Sequence, residues 1–262
     1  MISISHNSMN QTLLQYLMQY RSIFKKRSFD IFYWFIMSIL CTEELRSIQF
    51  LYHGFIKKYT HKVLNSIYYF LSYVKFPIEI LATTTVSILL SLIPEELRGN
   101  TLFITIDDTL QAKYVDKFDC YAKHFDHTKI KVLTTNESSN SDNEDTSKAL
   151  RIYRIRWNIE VMFYQHKFFW SFGNYMVRNK DAIERYVNLL AIAYTFTCLL
   201  PFIDKKYAEY QFKSPQLVKR AVGEQITKEL IFDTFVSSFE SAKIYSTVKE
   251  AVQSFLDKDQ VA

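Results

Sequence analysis

Glycine, proline and cysteine are scarce in this chain of 262 residues, which has four Gly, four Pro and three Cys. So few turn-forming residues, together with 22 Phe and 18 Tyr, favour long helices around an aromatic core. Cys41, Cys120 and Cys198 are isolated and form no CxxC pair, which argues against a disulfide framework and against a zinc site. We therefore expect a reducing, cytoplasmic setting.

A basic segment followed by an apolar run is also lacking at residues 1–10, so this end does not resemble a secretory signal. Uncharged stretches cover residues 31–42, 80–94 and 186–203, and only the last reaches 18 residues. About 20 predominantly apolar residues are usually needed to cross a bilayer. We interpret 186–203 as a buried core helix and predict no membrane partner, with a helical membrane-associated protein as the alternative.

Charge is unevenly distributed along a chain whose net charge is +5 and whose hydrophobic fraction, 48%, is enough for a substantial core. Residues 101–150 carry nine acidic and six basic groups, whereas residues 151–200 carry seven basic and three acidic groups. An acidic segment suits a cation and a basic segment suits a polyanion. The pattern is consistent with a polyanionic substrate handled through a metal ion.

Helical periodicity dominates both ends of the chain. In residues 1–98 it predicts an all-α region, either a DNA-binding domain or a scaffold, and in residues 204–262 a helical tail. The predicted helices cover residues 10–26, 29–41, 42–58, 61–74, 77–92, 183–200, 214–234 and 239–256.

The clearest strand covers residues 101–106, which are apolar, rich in β-branched side chains and followed by Asp107, Asp108 and Thr109. Residues 118–125 and 129–135 also have strand-like patterns. Two carboxylates at the end of a buried strand are costly unless a cation lies beside them. The alternative is that one of them caps the next element.

One predicted helix, residues 149–167, carries an ionic row beside an apolar stripe. At about 100° per residue, Tyr153, Arg156, Glu160 and Lys167 share one face. The apolar stripe beside them can pack into a core; it consists of Ile152, Ile155, Ile159, Met162, Phe163 and Trp170. A carboxylate among cations and a phenol suits a metal ion next to a phosphate backbone. An amphipathic helix with a solvated charged edge is the alternative.

The spacing Tyr-x2-Arg-x3-Glu-x6-Lys, at Tyr153, Arg156, Glu160 and Lys167, resembles the signature helix of the IS4-type DDE transposases, and Asp107-Asp108-Thr109 resembles their first catalytic motif. The resemblance implies an α/β, mostly helical fold with an RNase H-like catalytic core at residues 99–203. It implies Asp108 and Glu160 as catalytic ligands of Mg²⁺ or Mn²⁺, with Asp107 as the close alternative to Asp108. Tyr153, Arg156 and Lys167 would then hold DNA phosphates.

The sequence departs from the family between the two motifs. Only 51 residues separate Asp108 from Glu160, fewer than the family places there. The acidic residues near this interval lack the strand-end context of the family's second catalytic aspartate; they are Asp116, Asp119, Asp126, Asp142 and Asp145. We therefore expect an insertion-sequence transposase shortened by deletion and impaired in catalysis, or a remnant that only binds DNA. The resemblance also implies double-stranded DNA as partner, a homodimer and a nucleoid-associated location in the cytoplasm.

Overall fold

The structure is a computed structural model that describes residues 8–43, 47–93, 95, 157, 159–172, 177, 179–239, 245–248 and 250. Within these residues the fold is mostly helical and contains no strand. The predicted strands 101–106, 118–125 and 129–135 lie outside the described residues. The all-α character expected for residues 1–98 is therefore confirmed where the chain is described.

Six α-helices are described before residue 93. They are α1 (Met9–Met18), α2 (Lys26–Cys41), α3 (Ile48–Leu51), α4 (Lys57–Tyr59), α5 (Leu64–Ser72) and α6 (Ile78–Ser91). A π-helical turn, Tyr52–Ile56, joins α3 to α4 without a break. The Ser47 hydroxyl accepts a hydrogen bond from the Phe50 N–H at 3.0 Å and starts α3 there. The predicted helix 42–58 was therefore placed too early, because Thr42 is extended and ends α2.

Three further helices follow. They are α7 (residues 159–169), α8 (Lys180–Ile203) and α9 (Pro215–Phe239), with a 3-10 turn at Lys205–Tyr210 between the last two. The Asn179 side chain accepts from the Ala182 N–H at 3.2 Å and caps α8. The predicted helices 183–200 and 214–234 are confirmed. α8 extends beyond its predicted range at both ends, and α9 begins one residue later and ends five residues later than predicted. Most of the predicted helix 239–256 lies outside the described residues, although residues 245–248 are helical.

The first predicted helix, 10–26, was wrong in its second half. The α-helix ends at Met18, a 3-10 turn covers Arg21–Ile23, and Phe24 is extended. The Phe24 ring is buried and stacks on Phe32 with ring centroids 4.7 Å apart. It also meets the edge of Phe76 at 5.0 Å. Burying this ring requires the chain to leave the helix, so core packing overrides the local helical preference.

Helix α8 lies in the middle of the helical core. It packs against α2, α5, α6 and α9, while α2 also packs against α5 and α9. Buried residues occur on most sides of α8; they are Ala182, Arg185, Tyr186, Leu189, Leu190, Ile192, Ala193, Phe196, Thr197, Leu200 and Pro201. Its burial fits the predicted core helix at 186–203.

Polar groups connect α8 to its neighbours within this core. The buried Arg185 guanidinium donates to the Leu71 carbonyl at the end of α5 at 2.7 Å. It also donates to Asp181 at 3.3 Å and lies 5.1 Å from the Phe76 ring centre. The Tyr16 hydroxyl donates to the Ile192 carbonyl at 3.1 Å. Such partners are needed because unpaired buried polar groups are costly.

The N-terminus of α1 is capped by a side chain of α9, which is distant in the sequence. The Glu229 carboxylate of α9 accepts from the Met9 N–H at 2.8 Å and from the Asn10 N–H at 2.9 Å. Gln225 donates to the same carboxylate at 2.8 Å. A negative charge at these unsatisfied N–H groups is favourable. α1 is therefore fixed to α9 by hydrogen bonds as well as by packing.

Helix α8 is also the one helix among the described residues that is long and apolar enough to span a membrane. It has 24 residues, and half of its most apolar 18-residue window is buried inside the structure. At 1.5 Å per residue its length is roughly 36 Å. Core helices of soluble proteins share these properties.

Candidate nucleic-acid interface

The second half of the predicted signature helix forms α7, and Trp157 just before it is also helical. Six of its side chains are exposed; they are Trp157, Glu160, Val161, Tyr164, Lys167 and Phe168. At about 100° per residue they fall within a sector of roughly 120°. We call these six residues the α7 face. It combines one carboxylate and one ammonium group with three aromatic rings.

The aromatic rings of the α7 face are well exposed. Trp157 is 65% exposed, Tyr164 53% and Phe168 69%. Tyr164 and Phe168 lie one helical turn apart, and their ring centroids are 4.5 Å apart with a 30° tilt between the planes. Large exposed rings next to a charged row are typical of surfaces that bind another molecule.

The opposite side of α7 packs against α8. The Tyr194 hydroxyl donates to the Gln165 side-chain oxygen at 2.8 Å. The His166 ring meets the Tyr194 ring edge-on, with centroids 4.3 Å apart. Trp170, fully buried, also meets Tyr194 edge-on at 5.5 Å. These contacts hold α7 at a fixed rotation, so the α7 face points away from α8.

Burial controls the charge of His166. The side chain is 9% exposed, and its Nε2 atom has no hydrogen-bond partner among the described residues. This loss of solvation lowers the pKa of His166 from 6.5 to about 4. The ring is therefore neutral at pH 7, and it acts as a packing group between α7 and α8.

The C-terminal end of α7 lies at residue 169, two residues beyond the predicted range 149–167. Ser171 follows with a φ of 50°, in the left-handed region, and the Phe172 N–H donates to the His166 carbonyl at 2.8 Å. A left-handed residue of this kind often ends a helix, and it is usually Gly. Here that residue is Ser171.

The structure describes two of the predicted site residues. Glu160 and Lys167 are both exposed and lie on the α7 face, as the ionic row predicts. Asp107, Asp108, Tyr153 and Arg156 lie outside the described residues. Of the predicted apolar stripe, Trp170 is buried and Ile159, Met162 and Phe163 are half-buried, while Ile152 and Ile155 lie outside the described residues.

Within the described part of the chain, no three His, Cys, Asp or Glu side chains lie close enough together to hold a metal ion. Glu160 supplies one exposed carboxylate, a ligand type that Mg²⁺ prefers. Its proposed partners Asp107 and Asp108 are outside the described residues. Among the described residues, the site therefore has one carboxylate suited to a divalent cation, and one carboxylate alone is not a complete metal site.

Sequence reasoning did not single out the exposed aromatic residues. Trp157, Val161, Tyr164 and Phe168 follow one another at spacings of four, three and four, which is the pattern of a buried helical stripe. Helix α7 therefore carries two apolar stripes, and periodicity alone does not tell which of them is buried. The signal that was available is the position of Glu160 and Lys167 within the second stripe.

Comparison with known proteins adds no relative: no protein-family model, no curated protein and no solved structure matches the chain.

Proposed function

We propose that this chain is a DNA transposase of the IS4 type, impaired in catalysis, that binds double-stranded DNA through the α7 face. The observation that carries the proposal is the joint exposure of Glu160 and Lys167 on one face of α7. These are two of the four residues whose spacing resembles the transposase signature. By the same resemblance we propose a homodimer that holds two DNA ends in the nucleoid.

The α7 face has the chemistry that DNA binding requires. The Lys167 ammonium group can pair with a phosphate oxygen, and such contacts supply most sequence-independent affinity. Exposed aromatic rings can stack on bases at a frayed or single-stranded end, which contributes about 1–3 kcal/mol per base. Trp157, Tyr164 and Phe168 are exposed on the same α7 face as Lys167, which supports this role.

The RNase H-like core belongs to the same proposal. In that fold Asp108, or Asp107, would lie beside Glu160, and the carboxylates would hold Mg²⁺ or Mn²⁺. The bound cation would stabilise charge on the attacked phosphodiester. Glu160 lies on the same face as Lys167, two helical turns earlier, so both could contact one DNA strand at neighbouring phosphates. With no second catalytic aspartate in the expected context, we propose that cleavage is weak.

Binding is tested by the salt dependence of affinity for a duplex with a short single-stranded end. Lys167→Ala should reduce the slope of log affinity against log salt by about one, because one phosphate contact is lost. Lys205→Ala removes an exposed lysine from the 3-10 turn after α8, outside residues 1–98, and serves as the matched control. An unchanged slope of log affinity against log salt for Lys167→Ala would show that the α7 face does not contact the DNA.

Catalysis is tested by strand nicking of DNA that carries the element's own ends, with Mg²⁺ or Mn²⁺. The chain should bind the DNA and nick it weakly or not at all, and Asp108→Ala and Glu160→Ala should abolish any nicking. Glu160→Ala should leave binding intact or slightly tighter, because a negative charge near phosphate is removed. Robust nicking by the pure protein would show that the proposed impairment is wrong.

Membrane association is a second candidate, which the length and composition of α8 favour. It predicts that the chain sediments with lipid vesicles and needs detergent for solubility. The transposase proposal predicts a detergent-free protein that stays in the supernatant. Vesicle sedimentation at physiological salt separates the two.

A further inference from the structure

A cavity of about 350 Å³ opens between the C-terminal end of α2 and the first half of α9. Leu40 and Cys41 line it from α2, and Glu43 lines it just beyond that helix. From α9 come two cationic side chains, Lys219 and Arg220, among others. Its volume is in the range of small-ligand sites. It is separate from the α7 face, none of whose residues line it.

Lys219 is the unusual residue of this cavity. Its side chain is 2% exposed, and Nζ has no hydrogen-bond partner among the described residues. Nζ lies 4.8 Å from the centre of the Trp170 ring, a contact that offsets part of the loss of hydration. Gln216 also lines the cavity, and its buried Oε1 atom likewise lacks a described partner. Buried charges are costly unless they are paired.

Among the described residues, the acidic groups near Lys219 offset only part of this cost. Burial raises the pKa of the Cys41 thiol to about 12, so it is neutral at pH 7. Glu43 is largely exposed and lies 3.6 Å from the Arg220 guanidinium. Two other charged residues that line the cavity, Glu224 and Lys228, are exposed and opposite in sign. Burial lowers the pKa of Lys219 to about 8, although Cys41 and Glu43 act in the opposite direction.

We propose that this cavity binds a small organic anion whose carboxylate or phosphate group pairs with the Lys219 ammonium once this side chain turns from the Trp170 ring into the cavity. The occupant also donates a hydrogen bond to Oε1 of Gln216 and packs an apolar body against Leu40. This function goes beyond DNA binding and does not depend on it.

Calorimetric titration of the full chain tests the proposal with two probes that each carry a hydroxyl donor, 4-hydroxybenzoate and 4-hydroxyphenyl phosphate, at pH 8 and at ionic strength held constant with NaCl. We expect one saturable site for at least one probe, and the probe that binds identifies the anionic group. Binding should take up protons, because an anion beside Lys219 raises the pKa of a group that is partly neutral at pH 8.

Lys219→Met should weaken this binding by at least tenfold, whereas Lys228→Met, which removes an exposed lysine of the same cavity, should change it by less than threefold. Saturation by neither probe, or equal binding by Lys219→Met, would overturn the proposal.

A measurement on the unaltered chain covers the case in which Lys219→Met does not fold. Limited acetylation with acetic anhydride, read by peptide mass spectrometry, reports the reactivity of each lysine. Saturating probe should slow acetylation of Lys219 about tenfold and leave Lys228 unchanged. The same Lys219 rate with and without probe would contradict an anion at this ammonium group.

Discussion

Two tryptophans, one just before α7 and one just after it, have opposite surroundings. Trp157 is 65% exposed on the α7 face, whereas Trp170 is fully buried between α8 and the Lys219 side chain of α9. Burying a large ring is favourable by several kcal/mol, so leaving one in water forgoes that stabilisation. The difference suggests that Trp170 stabilises the fold and that Trp157 serves binding.

The same contrast extends along α7. His166 and Trp170 pack on Tyr194, while Tyr164 and Phe168 contact each other in the open. Both stripes carry aromatic rings, so aromatic content does not distinguish them. Their surroundings differ, because α8 supplies a complementary surface on one side of α7.

The largest expected effect comes from exchanging each tryptophan for alanine. Trp170→Ala should lower the free energy of unfolding by about 3–5 kcal/mol, because it leaves a cavity in the core. Trp157→Ala should change it by less than about 0.5 kcal/mol and weaken DNA binding instead. Urea unfolding and a duplex-binding titration on both variants measure these quantities. Equal destabilisation by the two changes would break the comparison.

The next largest effect is a pH dependence that His166 gives to the buried side of α7. Its folded-state pKa, about 4, is below the unfolded value of 6.5, so the unfolded chain binds the proton more tightly. The contribution of neutral His166 to the free energy of unfolding is fully present above pH 6.5. It decreases by roughly 3 kcal/mol as the pH falls towards 4.

His166→Gln removes this pH-dependent contribution to stability, so the wild-type protein should lose more stability than the variant between pH 7 and pH 4. Urea unfolding at the two pH values measures the difference, and carboxylate titrations common to both proteins cancel. Parallel losses in the two proteins would mean that His166 is not buried against Tyr194.

The smallest effect concerns the turn that ends α7. Ser171→Gly should stabilise the fold by about 0.5–1 kcal/mol, because glycine adopts a φ of 50° without steric cost. Ser87→Gly, in the exposed interior of α6, should destabilise by a similar amount and is the control. Thermal unfolding of both variants shows whether each change raises or lowers the stability. Destabilisation by Ser171→Gly would show that α7 ends in another conformation.

Much of the helical fold could be predicted from the sequence, because periodic apolar residues and few glycines specify helices locally. α5 and α6 lie within the predicted ranges, and α8 includes its predicted range. The break after Met18 could not be predicted, since it depends on Phe24 reaching Phe32 and Phe76. A capping residue such as Ser47 is visible in the sequence, and it would have corrected the start of α3.

The candidate site was predictable in part. The exposure of Glu160 and Lys167 follows from their charge and spacing. The exposure of Trp157, Tyr164 and Phe168 does not, because it depends on which side α8 covers. The catalytic roles of Asp107 and Asp108 and the phosphate contacts of Tyr153 and Arg156 stay predictions. Lys219 was not singled out, since a lysine in an amphipathic helix is ordinarily solvated.

The carboxylate of Glu229 that caps α1 lies 220 residues further along the chain than Met9. A ribosome synthesises the N-terminal helices long before this carboxylate exists, so α1 emerges with its first N–H groups in water. Closing such a long loop is entropically costly and slows folding. The native cap of α1 therefore forms only after α9 has left the ribosome, and a nascent chain stalled before Glu229 should leave α1 accessible to proteases.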